Sequence, residues 1–360
     1  MVDSVREGWD DIELETDIKN RVMRMMAFNL RGTNSKDTGL LKNAKIGGAL
    51  LYGPPGTGKT HLARILAKTS HVAMIHVSTA DIVSKWVGET EKYIKALFSL
   101  ARMIWPCIIF IDEADSLFRS RQKSRNSWEV DQVNQLLSEA DGLVRNPKAP
   151  FLVLATNYPQ LLDHAILRRV PGRIYMGLPT EKGLESLFGL FLRDEQPKPI
   201  VNNKTLATMT HMYTGADIRN LCMLAAQACA DVSAAVSDTA AGTTNGLTMS
   251  HFEEAFRTCG PTGSKQDLEG IRLFAEQFDP SSVPAILATL RQTVRRPIEE
   301  QSQLHQVNRK LPAPNPLSMV SESFPSPNCG HPLWRAALLE KGGKVENTNI
   351  SSVTSNVIHQ

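Results

Sequence analysis

Cysteine is scarce in this 360-residue chain: five residues (Cys107, Cys222, Cys229, Cys259 and Cys329), scattered and with no C-x-x-C pair. An odd, dispersed set excludes a disulfide framework and a structural zinc site, and it points to reduced thiols inside a cell. Long apolar runs are missing as well. No stretch approaches the eighteen or so residues that cross a bilayer, and the opening MVDSVREGWDDIELE has no apolar leader core. Excess charge is absent too: 40 basic against 37 acidic residues leave +3, too little to imply a nucleic-acid partner. What remains is ordinary for a folded domain, with 42% apolar and 21% charged residues and length enough for a real core.

Pattern is what distinguishes the chain. From Gly47 to about Thr180, apolar runs alternate with helical spacing. GGALLYG, VAMIHV, CIIFI, FLVLAT and RIYMGL predict five strands. Ile94, Leu97, Phe98 and Ala101 recur at helical spacing, as do Val130, Val133, Leu136 and Leu137. Such alternation predicts a parallel sheet wrapped by helices. From Glu181 the strand signal fades, and LESLFGLFLRD, LATMTHMYTG, ADIRNLCMLAAQACADV and SHFEEAFRTC read as helices. Ser250 is the expected N-cap of the last, with Glu253 completing a capping box. Three regions result: an α/β domain over 1–180, a small all-α lid over 181–260 and a tail over 261–360. In the tail, 268–278 and 283–295 have helical spacing, whereas 307–330 is proline-rich and ENTNISSVTSN has a disordered composition.

The first strand runs into GPPGTGKT, a full match to G-x-x-x-x-G-K-[ST]. Gly53, Gly56 and Gly58 let the backbone turn until its N–H groups converge on phosphate oxygens, with Pro54, Pro55 and Thr57 between them. The helix opening near Lys59 adds its positive dipole end. Lys59 is placed to reach the β- and γ-phosphates, Thr60 to ligate Mg²⁺, and His61 follows in the same turn. A glycine-rich turn with a chance lysine is the bland alternative, but it would not explain the acidic strand end that follows.

That strand end is IIFIDEADSLF. Four buried-type residues, Ile108 to Ile111, predict a central strand with Asp112 and Glu113 at its carboxyl end, where open α/β sheets bind ligands. Asp112 suits the magnesium shell and Glu113 an attacking water, since phosphoryl transfer needs positioning and charge neutralisation. Asn157, ending LATN beside that strand, is placed to orient the same water, although Asn there is often a turn former. The letters D-E-A-D also name a group of RNA helicases, and the tetrapeptide alone does not decide between the two machines.

Order and spacing do. WDDI (Trp9–Ile12), LLYGPPGTGKT (Leu50–Thr60), SKWVGETEK (Ser84–Lys92), PCIIFIDEADSL (Pro106–Leu117), ATN (Ala155–Asn157), LRRVPGRIYMGLP (Leu167–Pro179) and YTGADIRNLC (Tyr213–Cys222) follow one another. Together they resemble an AAA+ ATPase domain, over Trp9 to about Arg257. The resemblance is to the subfamily holding katanin, spastin, the endosomal-sorting disassembly ATPase and the mitochondrial outer-membrane extractor. A D-E-A-D helicase needs a second sheet domain, and nothing after Thr180 supplies its strands. The tetrapeptide then reads as a Walker-type strand end followed by an accidental Ala-Asp.

The resemblance implies a P-loop NTPase fold, a doubly wound five-stranded parallel sheet carrying a helical lid, assembled as a homo-hexamer that uses ATP and Mg²⁺. It aligns Asp11 and Ile12 with the adenine-contacting segment, and Gly215 and Ala216 with the second sensor near base and ribose. Arg168 and Arg169 align with the arginine fingers that reach a neighbouring subunit. Read from the residues alone, the two arginines precede a Pro-Gly turn in an exposed loop and are an ordinary solvated pair. Lys85, Trp86 and Val87 align with the central-pore loop that grips an extended polypeptide. A Trp suits a grip that accepts varied side chains, and a half-buried core Trp is the alternative. RSRQKSR (Arg119 to Arg125) aligns with the second pore loop, gripping acidic peptide or tubulin-like tails, contacting nucleic acid, or staying solvated. The expected activity is ATP hydrolysis to ADP and phosphate, driving extraction of a protein substrate through the ring. Microtubule severing, complex disassembly and a nucleotide-gated structural role stand as alternatives, and nucleic acid is not the expected partner. The expected location is intracellular and cytoplasmic, with the mitochondrial surface as the place of extraction.

Overall fold

The computed structural model describes residues 8–30, 47–78, 89–119, 135–140, 148–195, 201–236 and 246–294. Five strands form one all-parallel sheet: β1 (Gly48–Tyr52), β2 (Ala73–Val77), β3 (Cys107–Ile111), β4 (Phe151–Thr156) and β5 (Gly172–Tyr175). Their spatial order is β2-β3-β4-β1-β5. β1, β3 and β4 are buried along their whole length, which is why they read as unbroken apolar runs instead of alternating ones. The predicted strands and the parallel sheet are all present, and the fold is that of a P-loop NTPase.

The two faces of the sheet hold separate cores. Side chains alternate along each strand, so Ala49 and Leu51 face one core while Leu50 and Tyr52 face the other. Helix α1 (Thr16–Leu30) and helix α2 (Lys59–Thr69) cover the first face through Val22, Met26, Leu62, Ala63 and Leu66. Helix α3 (Glu89–Met103) covers part of the second with the predicted quartet Ile94, Leu97, Phe98 and Ala101. Leu136 and Leu137, in a helical stretch over 135–140, join them, while Val130 and Val133 lie outside the described residues. A short helix α4 (His164–Arg169), capped by the Asp163 carboxylate accepting from Ala165 N–H, precedes β5.

After Thr180, which caps the next helix, the chain builds a group of helices with a core of its own. Its helices are α5 (Glu181–Phe191), α6 (Asn203–Met209), α7 (Gly215–Val236) and α8 (Met249–Thr258), packed around Phe188, Leu206, Ile218, Leu221 and Phe252. The N-cap of α8 is Thr248, not Ser250: the capping box closes through His251 Nδ1, which accepts from Thr248 N–H. Met249 itself is helical, so Ser250 falls inside the first turn.

Residues placed by pattern in the tail return to the sheet. Helices α9 (Lys265–Phe278) and α10 (Val283–Val294) bring Ile271, Phe274, Ala275 and Ile286 into the second core. The Phe274 ring meets Tyr52 edge-on at 5.1 Å. At the turn between them Asp279, only 4% exposed, accepts hydrogen bonds from Tyr52 Oη (2.8 Å), Ser281 Oγ (2.6 Å) and Ser282 Oγ (2.7 Å). Tyr52 is the residue before Gly53, so this strap reaches the strand that feeds the glycine-rich loop. The prolines of 307–330 and the stretch ENTNISSVTSN lie outside the described residues.

Candidate nucleotide site

The loop after β1 leaves the sheet in conformations that suit glycine. Gly53 has φ 151°, and a Cβ there would stand 2.0 Å from the carbonyl oxygen of Met176, just past β5. Gly56 has φ 75°, with Thr214 Oγ1 2.5 Å from where a Cβ would be. At Gly53 a side chain would collide with backbone, and at Gly56 it would meet Thr214 in a left-handed conformation that favours glycine. Thr57 Oγ1 donates to the Pro54 carbonyl at 3.0 Å and helps close the turn. α2 then starts at Lys59, as the motif predicts.

Lys59 is buried, with Nζ donating to the carbonyls of Gly53 (3.0 Å) and Pro54 (2.7 Å). Burial lowers its pKa to about 8, against the pull of the Asp112 and Asp115 carboxylates. One residue on, Thr60 Oγ1 donates to Asp112 Oδ2 at 2.6 Å, bringing the end of β3 onto the loop after β1. The other oxygen, Asp112 Oδ1, accepts from Glu113 N–H at 2.9 Å. Glu113 is exposed and holds a left-handed conformation (φ 49°, ψ 44°), which costs a non-glycine residue on the order of 1–3 kcal/mol. Strain of that size at a strand end is a mark of a site that the surrounding structure over-determines.

β4 lies between β3 and β1 in the sheet, so Asn157, half-buried after its last residue, stands between the acidic pair and the glycine loop. Thr156 is buried in the same turn. Its hydroxyl donates to Asp115 Oδ1 at 2.5 Å and accepts from Tyr158 N–H at 3.0 Å. Asp115, treated as accidental in the sequence, is itself only 8% exposed. The signal that could have revealed it is its position, one helical turn beyond Asp112.

The donor set suits a hard, hydrated cation. Thr60 and Asp112 present oxygen only, and Mg²⁺ takes one or two such protein ligands and fills the rest of its shell with water and phosphate. Among the described residues no cluster of three or more His, Cys, Asp and Glu could hold a metal by itself.

Residues 49–178 match the family model described as the ATPase family associated with various cellular activities, AAA. These residues form an AAA ATPase domain. Similar curated proteins include the cell division cycle protein 48 homolog of Archaeoglobus fulgidus, 36% identical over 77% of this chain and 39% of that protein. The outer mitochondrial transmembrane helix translocase of Danio rerio is 37% identical over 62% of this chain and 59% of its own length. Spastin of Drosophila melanogaster is 38% identical over 61% and 30%. The chain thus spans between about a third and three fifths of the length of these relatives. The translocase and spastin match the katanin- and spastin-like subfamily within the AAA proteins.

Both flanks of the AAA nucleotide site are in contact with the loop. On the amino-terminal side, Asp11 ends a short 3₁₀ turn and its carbonyl oxygen lies 3.1 Å from His61 Nε2. Ile12 reaches to within 3.7 Å of where a Cβ on Gly58 would sit. On the carboxyl-terminal side, α7 begins at Gly215, and Ala216 N–H donates to the Gly56 carbonyl at 3.1 Å. Asp217, 3% exposed, fixes that start by accepting from Thr214 N–H (2.8 Å), Thr262 N–H (3.1 Å) and Thr262 Oγ1 (2.9 Å).

The arginines of LRRVPGR divide into three environments. Arg168 and Arg169 close α4 instead of lying in a loop, because Asp163 caps a helix that the short apolar pattern had not announced. Arg168 is exposed, whereas Arg169 is half-buried and donates from its guanidinium to the Ala165 carbonyl at 3.0 Å. Arg173, which sequence reasoning passed over, is buried and donates to the carbonyls of Leu167, Val170 and Gly172. Its guanidinium caps the end of the helix that carries the other two. Lys85, Trp86 and Val87 lie outside the described residues, as do 120–125 of the basic stretch; Arg119 is exposed. No helix among the described residues is long and apolar enough to cross a membrane.

Proposed function

We propose that this chain hydrolyses ATP with Mg²⁺ in a head-to-tail ring, a homo-hexamer, and uses turnover to pull on a protein substrate. The observation that carries the reading is the 2.6 Å contact between Thr60 Oγ1 and Asp112 Oδ2, which joins the phosphate loop to the acidic strand end. In this reading Gly53 to Thr60 cradle the phosphates, and Lys59 leaves its two carbonyl partners for phosphate oxygens. Thr60 and Asp112 hold Mg²⁺, which neutralises charge on the phosphates when bound. Glu113 polarises the attacking water and Asn157 orients it. Asp11, Ile12 and His61 flank the base on one side, with Gly215 and Ala216 on the other. Arg168, exposed at the end of α4, supplies the second cation to a neighbouring subunit, and Arg169 supports it. A head-to-tail contact of that kind closes into a ring when the rotation between subunits permits.

The protein-pulling part is supported by the relatives. One is named a translocase of transmembrane helices of the outer mitochondrial membrane, which favours extraction of membrane-associated polypeptides from a cytoplasmic face over severing. Lys85, Trp86 and Val87 are the proposed grip.

The test is a subunit-mixing assay. Arg168→Ala should bind ATP and lose about 10³-fold in hydrolysis or more, the worth of such an arginine in nucleotide hydrolases. Lys59→Ala should fail to bind. Mixed together the two should regain part of the parent rate, because an intact site then meets an intact finger. No recovery in verified mixed assemblies, or hydrolysis by a strictly monomeric parent, would defeat the ring reading.

A further inference from the structure

Asp115 is a buried acid in a place where stability does not call for one. Among the described residues its carboxylate accepts a hydrogen bond from Thr156 Oγ1 at 2.5 Å, on the adjacent strand, and its charge acts on Lys59. Replacing both partners of such a hydrogen bond by apolar groups of the same shape can be nearly neutral or stabilising. The position explains it better. Asp115 lies in the single helical turn Ala114–Leu117, whose N-cap is the strained Glu113. Thr156 ends β4, opposite Tyr52 on β1, and its hydroxyl also accepts from Tyr158 N–H at 3.0 Å. Thr156 and Tyr158 thereby form a closed turn with Asn157 at its apex. One hydrogen bond ties the turn that presents Glu113 to the turn that presents Asn157.

We propose that Asp115 is a positioning residue for phosphoryl transfer: it holds the Thr156–Tyr158 turn so that Asn157 keeps one fixed place beside the attacking water. The proposal rests on the ATPase reading above and deepens it. Asp115 touches no phosphate in this scheme. It acts through Thr156 on Asn157, so its removal affects the chemical step; Thr156→Val cuts that tie while leaving the Asp115 charge, which also acts on Lys59, in place. Small displacements are sufficient, since a misplacement of about 1 Å costs on the order of a hundredfold in rate.

The experiment is a set of variants of the full chain, Asp115→Ala, Asp115→Asn and Thr156→Val, each in the parent and in an Asn157→Ala background. Each is assayed for kcat, KM for ATP and thermal midpoint. Asp115→Ala and Thr156→Val should each lower kcat by about ten- to a hundredfold, with KM for Thr156→Val within about threefold. Asp115→Asn, whose amide oxygen can still accept from Thr156, should recover most of the rate. In the Asn157→Ala background the same changes should lower kcat by less than about twofold, because the group they position is gone. An equal loss in both backgrounds, or parent kcat in a folded Asp115→Ala protein, would overturn the proposal. Should Asp115→Ala not fold, Thr156→Val decides by the same comparison. If Asn157→Ala hydrolyses at the parent rate, the role given to Asn157 in the ATPase reading fails, and this proposal with it.

Discussion

The carboxyl end of the sheet and the face closed by α9 are both organised around a buried acid, and they use it in opposite ways. At the face, Asp279 collects three hydroxyl donors, with the Arg21 guanidinium 3.8 Å away, inside a wall of aromatic and aliphatic side chains. At the strand ends, Asp115 and Asp112 each serve short contacts within a strained, half-open arrangement. The first is a satisfied network that fixes one packing. The second joins neighbouring strand-end turns through single short hydrogen bonds. Saturation serves the fold, and economy serves the site.

The sharpest way to separate the two ends is Glu113→Gln. The amide keeps the shape and cannot take a proton, so turnover should fall by about 10³-fold, within the range for lost general-base assistance. Nucleotide binding and the thermal midpoint should stay near the parent values. A Gln variant that turns over ATP at the parent rate would remove Glu113 from the chemistry.

Asp279→Ala should do the reverse. It strands the buried Tyr52 hydroxyl and loses charge-assisted hydrogen bonds, a cost of about 2–3 kcal/mol in unfolding free energy. Denaturant titration measures that loss, and the KM for ATP should move by less than about threefold. If KM rises sharply with little change in stability, the strap belongs functionally to the site and the contrast drawn above collapses.

The smallest effect concerns Lys59. Its pKa of about 8 in the folded chain lies below the usual lysine value, so the neutral form is favoured by folding and the charged form by phosphate. ATP binding should therefore take up a proton above about pH 8, and affinity should weaken by up to about tenfold per pH unit there. By the same linkage, the unfolded chain binds more protons between about pH 8 and 10.5, so the penalty for burying the charge is present below that window and relieved as pH rises through it. Calorimetry in buffers of different ionisation enthalpy counts the protons, and zero uptake at pH 8.5 would show that Lys59 is already charged without ligand.

What the sequence discloses depends on how local the cause is. The parallel sheet was legible because strand and helix alternate within each 30-residue unit, and the glycine loop because backbone conformation there needs glycine. Ile271, Phe274 and Ala275 announced a helix by their spacing. Nothing in that spacing says that it packs on a sheet more than a hundred residues earlier, because that depends on Tyr52 meeting Asp279. Asp115 was missed for the same reason: its partner, Thr156, is 41 residues away. The helical setting of Arg168 and Arg169 rests on the Asp163 cap and on Arg173, neither part of an apolar period.

The hydrogen bond from Ala216 to Gly56 joins the phosphate loop to a long helix. α7 has 22 residues, a rod of about 33 Å whose first turn touches the phosphate loop. Five degrees of tilt at that turn, a displacement of a few tenths of an ångström around Gly56, sweeps the far end of the rod through about 3 Å. Because Ile218, Leu221 and Ala225 pack it against its neighbours, such a tilt would carry the surrounding helices with it.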